Sequence, residues 1–395
     1  MKNDLNSVPA AAQPAIIIGV TSPQTCMVLR ARLVGLRRAG FRVIVVSGPG
    51  PLLEATASAA GVEAVAVPMR REIALWADVL SLFRLWRLLG RLKPQIVEFS
   101  TPKAGLLGIL AASLCGVPHR VYLLRGLKLE TSTGLKRRLL WAAEWMASSC
   151  AHVVLCNSQS LREQAVTRSL APASKLRVMG SGSSHGVDTE CFLPGQTAVR
   201  EQFGIPGGAP LIGFVGRLTR DKGVPELVSA FEQILAVQPS AWLLLVGWFD
   251  RAEDALPASL RAQIENHPRI VVTGMVVETA PYYRAMDLLV LPSWREGFPN
   301  AVLEASATGI PVVTTHCTGA RDSVLPGVTG LLIPPGCPEA IQEAVLSLLE
   351  DPEQRARMGR AARAWVLSNY AEPNVLSQTA DFYWSLLDQG SDASS

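Results

Sequence analysis

Short apolar runs alternate with longer segments of helical periodicity along the whole chain, and the series occurs twice. The first set of runs is IIIGV (16–20), RVIVVSG (42–48), QIVEFS (95–100), RVYLLRG (120–126) and HVVLCNS (152–158). The second is LIGFVG (211–216), AWLLLVG (241–247), RIVVTG (269–274), LLVLPS (288–293) and PVVTTH (311–316). Rich in Val, Ile and Leu, they have the pattern of parallel strands buried on both faces. Strand and helix alternating in this way predict an α/β chain of two doubly wound, Rossmann-like parallel sheets, with ligands outside the carboxyl ends of the strands. At 395 residues the chain exceeds a usual single core. The boundary is expected in SGSSHGVDTECFLPG (181–195), where Gly, Ser and Pro are dense, giving a first domain over 1–188 and a second over 189–370. An interdomain cleft follows, whose closure would exclude water from a bound donor. YAEPNVLSQTADFYWSLLD (370–388) is predicted as a helix after Pro373, within a terminal piece 371–395 whose tail GSDASS is expected to be disordered.

Two strand-to-helix loops carry candidate chemistry. In REGFPNAVLEAS (295–306), the upstream apolar run ends at Pro292, and the helical spacing downstream continues until Gly309 and Pro311. Pro299 suits the first helical position, so Glu296 falls in the loop and Glu304 about one turn into the helix. Unpaired amides and the positive dipole end at such a start favour an anion. Two carboxylates there would repel a bare phosphate but accept strongly from neutral hydroxyls, so a sugar and a ribose joined through a diphosphate meet all the requirements. Spacing alone equally allows Glu296 as a helix cap and Glu304 as a solvated helix charge. The other loop, in LIGFVGRLTRDKGVPELVSAF (211–231), places Arg217 directly after Gly216 and Lys222 five positions on, beneath a helix beginning near Pro225. A guanidinium forks onto phosphate oxygens and an ammonium adds a point charge, a pair suited to a diphosphate leaving group. Either loop alone reads as a surface turn with solvated charges; two in one half of the chain favour binding.

GRLTRDKG, PSWREGFPNAVLEASATGIPVV and GARDSVLPGVTGLLIPPG resemble the retaining, nucleotide-sugar-dependent glycosyltransferases of family 4, which have the GT-B fold. The resemblance spans nearly the whole chain and is strongest from about Leu211 to Pro335. STPKAGLLGILAASLCGVPHRVYLLRGLKLETSTGLKRRLLW and GSGSSHGVD are similar to the branch that builds bacterial capsule, exopolysaccharide and lipopolysaccharide units on an undecaprenyl-type lipid carrier. The resemblance implies a UDP- or GDP-linked donor sugar, with Arg217 and Lys222 on the diphosphate and Glu304 on the ribose. It places Glu296 and the amides of Gly297 and Phe298 at the sugar, with Gly216 and Asn300 also on the donor. It also implies that the last helix returns to the first domain.

The first half departs from the family pattern. Many relatives have a His after the strand matching VYLLRG, where this chain has Arg125 and Gly126, so no His base is assigned. A retaining transfer on one face of the sugar needs none, because the departing phosphate oxygen takes the acceptor proton. Arg125, with five donors and no usable basicity, suits the acceptor's phosphate. Pairing with Glu130 or Glu98 is its structural alternative. Lys103, ahead of the helical LLGILAASL, is a second acceptor or phosphate contact by helix-start logic. His185 is expected to make a hinge hydrogen bond, and Ser22 and Gln24 in TSPQTCMVLR (21–30) lie within reach of the donor phosphates.

Charge separates the halves. The net charge of +4 hides 23 basic and 11 acidic residues over 1–190, against 14 and 22 over 191–395. Residues 1–190 at +12 place the first domain where it is expected to face an anionic surface. LWADVLSLFRLWRLLGRLKP (75–94) and LKRRLLWAAEWMA (135–147) set Trp76, Phe83, Trp86, Trp141 and Trp145 among Arg and Lys, as in helices lying in lipid headgroups. The alternative is ordinary crossover helices whose Trp and Leu pack on the sheet. No apolar run approaches the roughly 20 residues that span a bilayer, and MKNDLNSVPAAAQ lacks signal-peptide order. Seven cysteines without C-x-x-C pairs suggest a reducing compartment. The expected location is therefore cytoplasmic, peripheral at the inner face of the plasma membrane. With no zinc-ligand spacing and no Asp-x-Asp pair, neither metal nor cofactor is expected, and no nucleic-acid partner. A non-catalytic membrane-docking subunit and a sugar-nucleotide epimerase on the same architecture are the competing readings.

Overall fold

The computed structural model describes residues 13–70, 74–250 and 254–391, so the N-terminal segment and most of the terminal tail lie outside it. Two compact units form, one from residues up to His185 together with the segment from Glu372, the other from Gly186–Ala371.

The first unit contains β1 (Ala15–Gly19), β2 (Arg42–Ser47), β3 (Glu63–Ala66), β4 (Ile96–Ser100), β5 (His119–Leu124), β6 (Val153–Cys156) and β7 (Leu176–Val178). They form one parallel sheet in the order β3-β2-β1-β4-β5-β6-β7. Successive side chains leave a strand on opposite faces, and the sheet feeds two cores accordingly. Ile17, Val97 and Leu124 pack with the helices Leu75–Leu92, Pro102–Leu114 and Gly134–Cys150. Ile16, Ile18, Leu123 and Leu155 meet the helix Arg30–Arg38 and the last helix, Glu372–Ser391. That last helix is held to the first unit by Trp384, whose indole N–H donates to Ala39 O at 3.1 Å and whose ring lies 4.7 Å from that of Phe41. Pro373 sits in its first turn, where a missing N–H costs no helical bond. Gly390 and Ser391, expected in the tail, still belong to this helix.

The second unit has β8 (Leu211–Val215), β9 (Trp242–Val246), β10 (Ile270–Val272), β11 (Leu288–Leu291), β12 (Val312–Thr315) and β13 (Gly330–Ile333), all parallel, in the order β10-β9-β8-β11-β12-β13. Three strands, β3, β7 and β13, do not stand out as apolar runs, and each is a sheet edge. Edge strands are covered on fewer sides, and the part-exposed EAVA of β3 needs no apolar run.

Candidate functional site

In the second unit the strand order reverses between β8 and β11, so the loops following these strands lie side by side at the switch point, where doubly wound sheets bind ligands. Backbone contact fixes their spacing: Trp294 N donates to Asp221 O at 2.9 Å. Gly223 has φ +72°, and a Cβ there would stand 2.1 Å from Pro292 O, so no larger residue fits where the two loops meet. Gly319, at φ +78°, likewise passes so close to the Glu296 loop that a Cβ would lie 2.4 Å from Gly297 O.

This approach brings Lys222 Nζ to 2.5 Å from Glu296 Oε1, which also accepts from Ser293 Oγ at 2.7 Å. Glu296 is not a helix cap. The helix Asn300–Thr308 starts one residue later than expected, because Pro299 has an extended ψ of 110° and is itself the cap position, with no side-chain bond to the first turn. Gly297 and Phe298 offer backbone only, since the Phe298 ring is buried against Tyr370 at 5.2 Å. Arg217 Nη1 donates to Asp250 Oδ2 at 2.7 Å, and Arg295 Nη2 to Asp221 Oδ2 at 2.8 Å. Burial opposes the charge on Asp221, but the Thr219 hydroxyl and the charges of Arg295, Lys222 and Arg217 outweigh it and hold that carboxyl below its usual range.

Glu304 is part-buried and accepts from Tyr283 Oη at 2.7 Å, so it is no solvated helix charge. Burial raises its carboxyl, while the hydroxyls of Tyr283 and Thr279 act against the rise. Thus the fold joins Lys222 to Glu296 and sets Arg217 in the same loop as Lys222, while Glu304 is held by Tyr283 of the preceding helix, Ala280–Ala285. The sequence motifs did not point to Asp250 or Tyr283. Asp250 follows β9, 33 residues from Arg217, and no local pattern links the two.

In the first unit the Lys103 ammonium is paired with Asp78 at 2.7 and 2.8 Å. Asp78 lies in the first turn of the neighbouring helix, Leu75–Leu92, beyond the reach of helix-start reasoning. Arg125 pairs with neither Glu130 nor Glu98; its Nη2 donates to Ser184 Oγ at 3.1 Å. Glu98 is instead taken by Arg32 and Tyr383, all three fully buried. Ser184 Oγ also meets His185 Nδ1 at 3.0 Å. Burial, with Arg125 and Arg32 adding to it, lowers the imidazole to about 3, so His185 is neutral. Ser22 Oγ donates to Gln24 Oε1 at 2.9 Å.

The helices Leu75–Leu92 and Gly134–Cys150 flank Pro102–Leu114 and turn their aromatic residues outward. Trp76 is 89 % exposed, and Phe83, Trp86 and Trp145 are exposed as well, so these rings do not pack on the sheet. Trp141 and Trp145 stack at 6.2 Å. Among the described residues no helix is long and apolar enough to cross a membrane, and no three His, Cys, Asp or Glu gather as a metal group.

Residues 195–365 match the family model described as Glycosyl transferases group 1, and residues 27–182 match the Glycosyl transferase 4-like domain. The chain is 33% identical over 369 residues to the capsular polysaccharide biosynthesis glycosyltransferase CapM of Staphylococcus aureus, across 93% of this chain and 96% of that one. It is 28% identical over 269 residues to the UDP-Gal:alpha-D-GlcNAc-diphosphoundecaprenol alpha-1,3-galactosyltransferase of Escherichia coli, across 67% and 68% of the two chains. The fold matches the crystal structure of Anabaena Alr3699/HepE in complex with UDP and glucose, with a TM-score of 0.80 at 19% identity over 94% of this chain and 100% of that one.

Proposed function

The chain belongs to the group 1, family 4 glycosyltransferases with the GT-B fold, and from that premise we propose that it moves a sugar, with retention of configuration, from a UDP- or GDP-linked donor to a lipid-linked saccharide in surface-polysaccharide synthesis. The observation that carries this reading is the meeting of Lys222 and Glu296 from two loops at one switch point, with Arg217 in the same loop as Lys222. The name of the Escherichia coli relative supports the lipid-linked acceptor, and that of the Staphylococcus aureus relative supports capsular polysaccharide synthesis.

In this mechanism Arg217 and Lys222 neutralise the diphosphate as the bond from the sugar's anomeric carbon to its oxygen breaks. Glu304 accepts from the ribose hydroxyls, and Glu296 with the amides of Gly297 and Phe298 orients the sugar; Gly216 and Asn300 lie along the donor. The acceptor hydroxyl attacks on the face the diphosphate leaves, and its proton passes to the departing phosphate oxygen. No metal is required, because two cations of the chain take its place. Arg125 is the acceptor-side contact of the first unit. Lys103 can serve there only by giving up Asp78.

The exposed rings of Trp76, Phe83 and Trp86 beside Arg84, Arg87 and Arg91, and of Trp141 and Trp145 beside Arg137 and Arg138, form the surface by which the protein lies on the inner membrane leaflet. Each basic residue near an anionic surface contributes on the order of 1 kcal/mol. Co-sedimentation with anionic vesicles at low salt tests this, and absence of binding ends it.

Transfer from radiolabelled UDP- and GDP-sugars to membrane lipid extract tests the catalytic reading. Lys222→Ala and Glu296→Ala are each expected to lower transfer by about 10²–10³-fold with circular dichroism unchanged. Wild-type turnover in either variant would refute it.

A further inference from the structure

Among the described residues, eight buried side-chain polar atoms have no hydrogen-bond partner, and five of them belong to the first unit's strand ends and the helix beside them: Arg32 Nε, Glu98 Oε1, Ser100 Oγ, Arg125 Nη1 and Asn157 Oδ1. Buried polar atoms are nearly always bonded, so five together mark a place built for another group.

The topology explains the gathering. Glu98 and Ser100 stand two apart on β4, and Arg125 and Asn157 each continue their strands, β5 and β6, by one residue. Period-2 alternation turns all four toward the face on which Ile96, Leu123 and Leu155 pack, the face that also carries Arg32 on its helix. The segment at 183–184 closes over them. Ser183 N donates to Asn157 O at 2.7 Å, Arg32 Nη1 to Ser184 O at 2.8 Å, and Arg125 Nη2 to Ser184 Oγ at 3.1 Å.

The charges do not balance. Glu98 Oε2 is held by Arg32 and the Tyr383 hydroxyl, and the Arg125 guanidinium makes its hydrogen bond to Ser184, with no carboxylate of its own. Burial and the repulsion of Arg32 outweigh the attraction of Glu98 for it, and His185 beside it is neutral. An arginine cannot shed its charge as a lysine would, so an enclosed, unmatched guanidinium calls for an anion from outside the chain.

We propose that this strand edge is a phosphate-binding site, with Arg125 as its cation and with Ser100 and Asn157 as neutral partners for a hydroxyl or ester oxygen next to the phosphate. The phosphate comes either from the lipid-linked acceptor or from the nucleotide donor. The acceptor arm rests on the function proposed above.

Calorimetric titration of the full chain separates these sources. Farnesyl diphosphate, added in saturating UDP, stands in for the lipid diphosphate; UDP alone reports the donor. Arg125→Gln is expected to weaken farnesyl diphosphate by at least about tenfold and to leave UDP within about twofold. Loss of UDP affinity with farnesyl diphosphate unchanged supports the site and assigns the phosphate to the donor. Unchanged affinity for both ligands in a folded Arg125→Gln overturns it, as does farnesol binding as tightly as its diphosphate. Should Arg125→Gln fail to fold, Ser100→Ala and Asn157→Ala carry the test, with about threefold weakening of one ligand expected and no change in either overturning the site. Failure to use any UDP- or GDP-sugar removes the proposed function, while these affinities still report the site directly.

Discussion

Both units set charged residues at the carboxyl edge of a parallel sheet, but they match them differently. In the second unit Arg217 meets Asp250, Lys222 meets Glu296 and Arg295 meets Asp221, with Asp254 also 3.7 Å from Arg295, so these cations do not lack carboxylates. In the first, Arg32 and Arg125 share the neighbourhood of a single carboxylate, Glu98. Exposure differs too: Arg217 is 35 % exposed, whereas Arg32 and Glu98 are both at 0 %. A partly exposed pair exchanges partners when a better anion arrives. A buried one fixes whatever it touches, here the Ser184 carbonyl and Tyr383 on the last helix.

The sharpest way to break this contrast is to remove one carboxylate from each unit. Glu98→Ala strips a fully buried guanidinium of its partner and is expected to cost about 3–5 kcal/mol of stability. Glu296→Ala frees an ammonium that water reaches, at a cost of about 1 kcal/mol, and its main effect falls on transfer. Urea unfolding of the two variants checks this. Equal shifts in midpoint would erase the distinction between an anchoring cluster and a binding one.

Acidity sharpens the comparison next. In the first unit Glu144 is buried and accepts from Tyr122 Oη at 2.6 Å. Burial lifts its carboxyl to about 7, with the Tyr122 bond working against the rise. The folded pKa exceeds the unfolded 4.5, so this group's contribution to stability is whole below pH 4.5 and is lost as pH rises to about 7. At 1.36 kcal/mol per unit, the loss is about 3 kcal/mol. In the second unit Asp221 is depressed instead, and its contribution is present above 3.8 and lost in more acidic solution. Glu144→Gln is therefore expected to flatten the melting temperature between pH 5 and 7, and an unchanged slope would remove Glu144 as its source.

The same contrast explains what the sequence discloses. The second unit's candidate site is written in two contiguous stretches, because a strand-loop-helix unit places its own loop residues, so spacing set Arg217, Lys222 and Glu296 in loops at helix starts. The ten apolar runs, which mark nine central strands and the edge strand β10, were equally readable. Edge strands such as EAVA were not, since exposure removes the pressure for an apolar run. Nor was the first unit's cluster: Arg32, Glu98, Arg125 and Tyr383 come from two helices, a strand and a loop, and only the sheet order assembles them. The pairing of Lys103 was hidden for the same reason, because Asp78 reaches it from a different helix.

The smallest effect probes the matched cations directly. If Asp250 holds Arg217 in reserve, a donor diphosphate must displace it, and Asp250→Asn keeps the side-chain shape while removing the competing charge. A part-exposed pair of this kind is worth about 0.2–1 kcal/mol, so UDP is expected to bind up to about fivefold more tightly to the variant. The gain should shrink in high salt, because screening already weakens the native pair. Calorimetry at two ionic strengths distinguishes this from the opposite role. Were Asp250 to orient Arg217 for the phosphate, Asp250→Asn would bind UDP more weakly, and the second unit's cations would then be as fixed by their carboxylates as Arg32 is by Glu98.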